Sequence, residues 1–233
     1  MAYKHCNIMS SSKKEYSNDY KMYIIDDLSW IPIKHEFLDL EYCSIMSEKS
    51  AWRVYTLCEL YIVYPDENSM KLSVAGKINK SSIYRHFPRK QIAFGDKDIS
   101  YTYSGFTLKA NPWPLFLLPI KEYVEKVCQC TFNYVLINRY KDGGDYVAFH
   151  KDDELDIEED SIIASLSFGS SREFIFQRFS TSDHKLSVNM ILGNGSLLLM
   201  KPPTNHFWSH SLPRAPFVTL PRINMTFRKI KTN

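Results

Sequence analysis

An α+β fold with a β-sandwich or jelly-roll barrel in its C-terminal half is what this sequence predicts, and three observations predict it. From Cys130 onward the chain is a succession of short alternating or apolar runs: "TFNYVLINRY", "DYVAFHKD", "SIIASLSF", "REFIFQRF", "NMILGNGSLLLM" and "FVTLPRINMTFRKI". Turn residues break them at Asp142-Gly143-Gly144, Gly169-Ser170-Ser171 and Gly193-Asn194-Gly195, which is how the strands of a sandwich or barrel are punctuated. Ahead of them, "NPWPLFLLPIKEYVEKVCQC" opens on prolines and continues as a helix that would pack outside the sheet. Finally, 233 residues, 44% of them hydrophobic, suffice for one sizeable core.

Taken in order, residues 1–20 are polar and rich in Ser and Lys, the composition of a mobile tail. "MYIIDDL" suits a strand, "IPIKHEFLDLEYCSIMSE" a helix after it, and "ELYIVY" another strand. Residues 21–127 read as an N-terminal extension and residues 128–233 as the β-rich core, the two forming one compact domain. No internal repeat or low-complexity tract interrupts them.

The composition excludes several function classes. The longest apolar runs, "PLFLLPI" and "SLLLM", fall far short of the roughly 20 residues that cross a bilayer, and the start lacks a secretory h-region. A non-membrane, intracellular protein is expected. The five cysteines show no zinc-ligand or Cys-x-x-Cys spacing, so reduced thiols are the expectation. A formal net charge of +3 is too small for a general polyelectrolyte binder, although "YRHFPRK" and "RKIK" are local basic clusters.

A metal site is suggested by "YVAFHKDDE". His150 and Asp152 are two apart, so on a strand both project from one face and can share an ion. The third ligand must come from His184, His206 or His210 downstream. Two His and one carboxylate form the facial arrangement that leaves positions open on iron(II) for a cosubstrate and oxygen.

The strand "RINMTFR" bears on the same site. Period two puts Arg222, Asn224, Thr226 and Arg228 on one face and Ile223, Met225 and Phe227 on the other. If the polar face looks inward, its guanidinium groups need an anion, because an unpaired buried charge is very costly. A dianionic cosubstrate would supply it through the bidentate fork of arginine. Asn138 and Tyr140 in "LINRY" also share a face and offer an amide and a phenol to that anion.

At these residues the sequence resembles a known family. "NRYKDGGDYVAFHKDDE", "IIASLSFGSSREFIF", "GSLLLM", "WSHSLP" and "PRINMTFRKI" resemble the AlkB family of iron(II)- and 2-oxoglutarate-dependent dioxygenases, in particular its eukaryotic DNA-repair branch. The resemblance runs from about Phe87 to Ile230, with little contributed by residues 1–70. It implies a double-stranded β-helix (jelly-roll) core with N-terminal helices and a nucleotide-recognition lid. By the same resemblance His150, Asp152 and His210 are the iron ligands, with His206 a neighbour. Asn138, Tyr140, Arg222, Asn224, Thr226 and Arg228 then form the 2-oxoglutarate set. Tyr101 and Tyr103 shape a nucleobase pocket, Tyr103 stacking the base against His150. Asp153 and Glu154 face the exocyclic amino group, and Arg89 reaches the nucleic-acid backbone.

The activity so implied is removal of an N-methyl group from 1-methyladenine or 3-methylcytosine in DNA, single- or double-stranded. It consumes 2-oxoglutarate and O2, with Fe(II) as metal and ascorbate as reductant, in a monomer located in the nucleus or the cytoplasm. The rival readings are the same chemistry on RNA and a non-catalytic nucleic-acid-binding jelly roll. One departure stands out. Where duplex-acting members carry an aromatic wedge before the "PRKQ" motif, this chain has Val74-Ala75-Gly76, which favours single-stranded or mismatched substrates unless Tyr84 or Phe87 replaces the ring.

Overall fold

The computed structural model describes residues 27–65, 71–74, 83–86, 88–103, 106–179 and 185–232, with backbone alone for 71–74 and 83–86. The expected N-terminal tail, most of "MYIIDDL", the Ala75-Gly76 pair, Phe87 and His184 lie outside these residues.

The chain opens with a hairpin, β1 (Ile31–His35) and β2 (Leu38–Ser44), followed by helix α1 (Glu48–Tyr61). The helix expected over residues 31–48 is therefore two strands. Its Leu and Glu content favours a helix locally, but Leu38 and Leu40 are buried at period two and Leu40 pairs with Met200 across the sheet; tertiary pairing overrides a weak propensity. The strand expected at "ELYIVY" is instead the end of α1 up to Tyr61, with Ile62 as its extended C-cap and irregular chain after it. Ser47 caps that helix by accepting a hydrogen bond from the Ser50 amide, and Ser50, Ala51, Val54 and Cys58 bury one face at helical spacing.

Then come β3 (Lys71–Val74), β4 (Ile83–His86), β5 (Lys90–Gly95), β6 (Ser100–Tyr103), β7 (Phe106–Lys109) and β8 (Asn111–Pro112). Helix α2 (Leu118–Cys128) follows as expected, with Pro119 in its first turn and Gln129 in the left-handed region at its end. The β-rich half contains β9 (Tyr134–Tyr140), β10 (Val147–His150), β11 (Ile163–Gly169), β12 (Arg172–Phe179), β13 (Lys185–Leu192), β14 (Ser196–Lys201), β15 (Ser209–Leu212) and β16 (Arg222–Arg228), with the short helix α3 (Thr204–Phe207) before β15. No described helix is long and apolar enough to cross a membrane. Cys43, Cys58, Cys128 and Cys130 are free thiols.

Two sheets carry the architecture. The larger has eight strands in the order β1-β2-β14-β11-β16-β9-β5-β8, the smaller has the order β10-β15-β12-β13. All neighbours in the large sheet are antiparallel except β5 and β8, so it is mixed. Both of its faces are covered, which is why β11 and β16 are buried throughout. Ile223, Met225, Phe227, Leu197 and Leu199 pack on one side with Val54, Ile120 and Val124 of the helices. Leu198 and Met200 face the other way, toward Phe174, Phe176 and Trp208. The polar face of β16 looks into this space between the sheets, not into water.

Candidate active site

Strands β10 and β15 pair antiparallel with His150 opposite His210, across a register shift between Val147 and His150. Such an irregularity re-aims a side chain. Asp152 follows just beyond the end of β10, and the ligand atoms of His150, Asp152 and His210 lie within 4.8 Å of one another. His150 Nδ1 lies 2.9 Å from the Ala148 carbonyl. A carbonyl only accepts, so Nδ1 carries the proton and Nε2, 3.7 Å from Asp152 Oδ1, keeps its lone pair. The His210 ring is fixed against Phe174, with centroids 5.3 Å apart. His206 is exposed on α3, and its backbone carbonyl accepts from Lys151 Nζ at 2.6 Å.

The electrostatics suit a cation. Burial works against ionisation of Asp152, yet Arg228, His210 and His150 hold its carboxyl well below the usual carboxylate range. Burial lowers His150, and burial reinforced by His150 and Arg228 pushes His210 down to about 3. Both imidazoles are thus neutral, the form that binds metal. A buried His with a depressed pKa takes up its proton on unfolding, so in metal-free protein its contribution is lost as pH falls below about 6.5, the unfolded value. The slope is up to about 1.4 kcal/mol per pH unit. His150 acts in the same sense, and Glu154, pushed up by burial and Asp152, in the opposite one. The urea midpoint of chelator-treated protein is expected to drop between pH 7 and pH 5, and His210→Phe to flatten that drop.

The sequence-derived anion face assembles across neighbouring strands. Asn224 of β16 lies opposite Asn138 of β9 and Ser167 of β11, and Asn138 lies opposite Gln91 of β5. The two arginines are employed differently. Arg228 Nη2 donates to Asp152 Oδ2 at 2.6 Å, both side chains being 4% exposed, and its guanidinium lies 5.0 Å from the Tyr101 ring. Arg228 therefore fixes the carboxylate of the triad. Arg222 lies 5.2 Å from the Tyr140 ring and donates to Ser167 Oγ at 2.9 Å, while Arg172 lies 5.9 Å from the same ring. No carboxylate among the described residues pairs with Arg222. Burial, with Arg172 adding to it, pushes its guanidinium down to about 10. Two guanidinium groups behind one phenol make a cationic corner.

A cavity of about 370 Å³ joins these parts, lined among others by Arg89, Tyr101, Tyr103, Asn138, Tyr140, Glu154, Asn224, Thr226 and Arg228 together with the triad. Arg222 stands behind Tyr140 and does not border it. Tyr101 donates a short hydrogen bond to Glu154, and the Tyr101 and Tyr103 rings stack with centroids 5.4 Å apart. Asp153 is exposed and borders a shallower depression beside His206 instead. Arg89 turns inward, its Nε donating to Asn138 Oδ1 at 2.8 Å. Gln91, Ser165 and Arg172 also belong to the site and are not among the residues that the sequence singles out. Ser165 and Ser167 were legible as the small polar face of "IIASLSF" at period two. Arg172, which donates to the carbonyls of Asp142, Asp145 and Pro213, carries no local signal.

The residues present fit a divalent transition metal and an anionic cosubstrate. Two imidazoles and a carboxylate are a donor set for iron(II). The buried His210 Nδ1, Arg222 Nε and Arg228 Nε have no hydrogen-bond partner among the described residues, where buried polar atoms are normally paired. The sequence profile of the 2OG-Fe(II) oxygenase superfamily matches residues 66–228, which include the triad and the whole anion face. The chain belongs to that superfamily. This oxygenase is 41% identical over 207 residues to human DNA oxidative demethylase ALKBH2, covering 87% of this chain and 77% of that protein. Against human alpha-ketoglutarate-dependent dioxygenase alkB homolog 3 the identity is 35% over 150 residues, 61% of this chain and 52% of that protein. The AlkB resemblance is thereby established. Coverage of 87% also requires that the likeness begin well before Phe87, so the N-terminal strands share it. The solved structure of OsALKBH1 superposes with a TM-score of 0.52 at 12% identity, covering 85% of this chain and all of that one, which agrees with the fold.

Proposed function

We propose that this oxygenase removes N-methyl groups from 1-methyladenine and 3-methylcytosine in DNA, acting as a monomer in the nucleus. The observation that carries the reading is the His150, Asp152 and His210 group in one cavity with the tyrosines and Glu154, in a chain related to a DNA oxidative demethylase. On this reading the two sheets are the halves of a double-stranded β-helix, and the hairpins β3-β4 and β6-β7 form the nucleotide-recognition lid over it. Residues 21–127 and 128–233 act as one domain, since β1, β2, β5 and β8 share a sheet with β9, β11, β14 and β16.

His150, Asp152 and His210 hold iron(II). With 2-oxoglutarate and O2 the bound metal supplies oxidation of the methyl carbon, which leaves as formaldehyde. Arg228 orients the Asp152 carboxylate. Tyr140, Asn138 and the charge of Arg222 behind them receive the distal carboxylate of the cosubstrate. The target base must leave the stack, because the triad lies inside the cavity. Tyr103 and the partly open His150 ring sandwich it. Glu154, held by Tyr101, gives the cavity a carboxylate that favours a cationic methylated base over its neutral parent.

Mass spectrometry of oligonucleotides carrying either lesion, in DNA and in RNA, incubated with protein, iron(II), ascorbate and 2-oxoglutarate, tests this reading. The expected result is loss of one methyl group from the DNA substrates. Succinate production with no mass change on any oligonucleotide would show that the true substrate is something else.

A further inference from the structure

Four side chains in the cavity wall form a hydrogen-bond chain whose direction can be deduced. Arg89 Nε lies 2.8 Å from Asn138 Oδ1. Arginine has no acceptor, so the Asn138 atom facing it must be the carbonyl oxygen. Gln91, 2.7 Å from that same oxygen, must therefore present its amide nitrogen. Its own oxygen is then left for Tyr103, whose hydroxyl donates to it at 2.9 Å. Every hydrogen runs one way, from Tyr103 through Gln91 to Asn138. The Asn138 oxygen is consumed by two donors, and its amide nitrogen has no protein partner among the described residues while Asn138 borders the cavity. The chain thus turns Asn138 into a pure donor toward whatever anion binds there. Gln91 is 1% exposed and sits opposite Asn138 in the sheet register, so it cannot reorient without breaking both bonds.

We propose that Gln91 is a positioning residue that couples the two halves of the cavity: a base stacked on Tyr103 orders the chain, the chain fixes the Asn138 amide, and base and 2-oxoglutarate consequently bind cooperatively. The inference rests on the function proposed above. Hydrogen bonds in series polarise one another inside a protein, and energetic coupling between two sites is reciprocal. The base therefore tightens the cosubstrate by the same factor as the cosubstrate tightens the base. Removing the Tyr103 hydroxyl cuts the chain at its start while leaving the stacking ring in place.

Calorimetric titration of 2-oxoglutarate into full-length protein loaded with manganese(II), which avoids turnover, with and without a 1-methyladenine oligonucleotide, measures the coupling factor. In the wild type a factor of about five or more is expected, at the lower end of ordinary coupling. In Tyr103→Phe, which keeps the ring but not the hydroxyl, the coupling factor is expected to fall to about one, whatever the oligonucleotide affinity of that variant. Gln91→Glu, which can accept from Tyr103 but not donate to Asn138, should also weaken 2-oxoglutarate in the absence of oligonucleotide. A merely structural role for the chain would lower thermal stability and leave the factor unchanged. If the oligonucleotide does not bind at all, the substrate reading falls and this inference with it. Binding with a wild-type factor of one, or an equal factor in Tyr103→Phe, overturns the inference alone.

Discussion

Asp152→Ala is expected to abolish turnover and, in metal-free protein, to lower the free energy of unfolding by about 3–5 kcal/mol, the cost of leaving a buried charge without its partner. The stability loss should distinguish it from His150→Ala and His210→Ala. Those imidazoles are held neutral, so their removal strands no charge, whereas Asp152 is the carboxylate on which buried Arg228 rests at 2.6 Å. Urea denaturation of the three variants checks the difference. Adding Arg228→Met to Asp152→Ala should restore most of the lost stability without restoring metal binding, because it removes the orphaned guanidinium. An Asp152→Ala protein as stable as the histidine variants would mean that Glu154, the other carboxylate near Arg228, already neutralises it.

Arg222→Lys is expected to raise the 2-oxoglutarate concentration for half-maximal turnover by about thirtyfold, with little change in the rate at saturation. A charged hydrogen-bonding partner in a buried pair is worth at least ~2 kcal/mol, and each 1.4 kcal/mol is roughly tenfold in affinity. The ammonium of Lys keeps the charge but not the planar fork that meets Tyr140 and Ser167 together. The same substitution at Arg228 should act first on metal retention, since its partner is Asp152. From the sequence alone both arginines, Arg228 no less than Arg222, are expected to serve the cosubstrate, because they sit at equivalent positions on one strand face. Titrating 2-oxoglutarate and iron(II) independently for both variants tests the division; equal cosubstrate dependence in Arg222→Lys and wild type would make Arg222 structural.

What was legible in the sequence was whatever obeys a local period. His150 with Asp152 could be placed on one face because they lie two apart at a strand end, and the inward polar face of β16 could be read from alternation alone. Asp153 and Glu154 illustrate where the period stops: β10 ends at His150, alternation no longer governs, and only Glu154 reaches the main cavity. The choice between His206 and His210 depends on which of them pairs with β10, a contact between distant segments that no window of sequence contains. The β1-β2 hairpin escapes a local reading for the same reason, since the pairing of β2 with β14 outweighs residues that would be content in a helix. The Arg89, Asn138 and Gln91 contacts join side chains from two strands and a loop, and only the register reveals them.

The position of β16 has a consequence for how the protein is made. It follows every other described strand in the chain, yet it lies in the interior of the large sheet, between β11 and β9. As the chain leaves the ribosome, β11 and β9 must each wait with an apolar, unpaired edge until the final strand arrives and joins the two halves. Folding therefore cannot finish progressively from the N-terminus, and the waiting edges are sites where another chain could add instead. Because the inserted strand also carries Arg222, Asn224, Thr226 and Arg228, closing the sheet and assembling the anion face are one event. The triad residues precede β16 in the chain, so what the inserted strand adds to them is the anion face and the Arg228 guanidinium that holds Asp152.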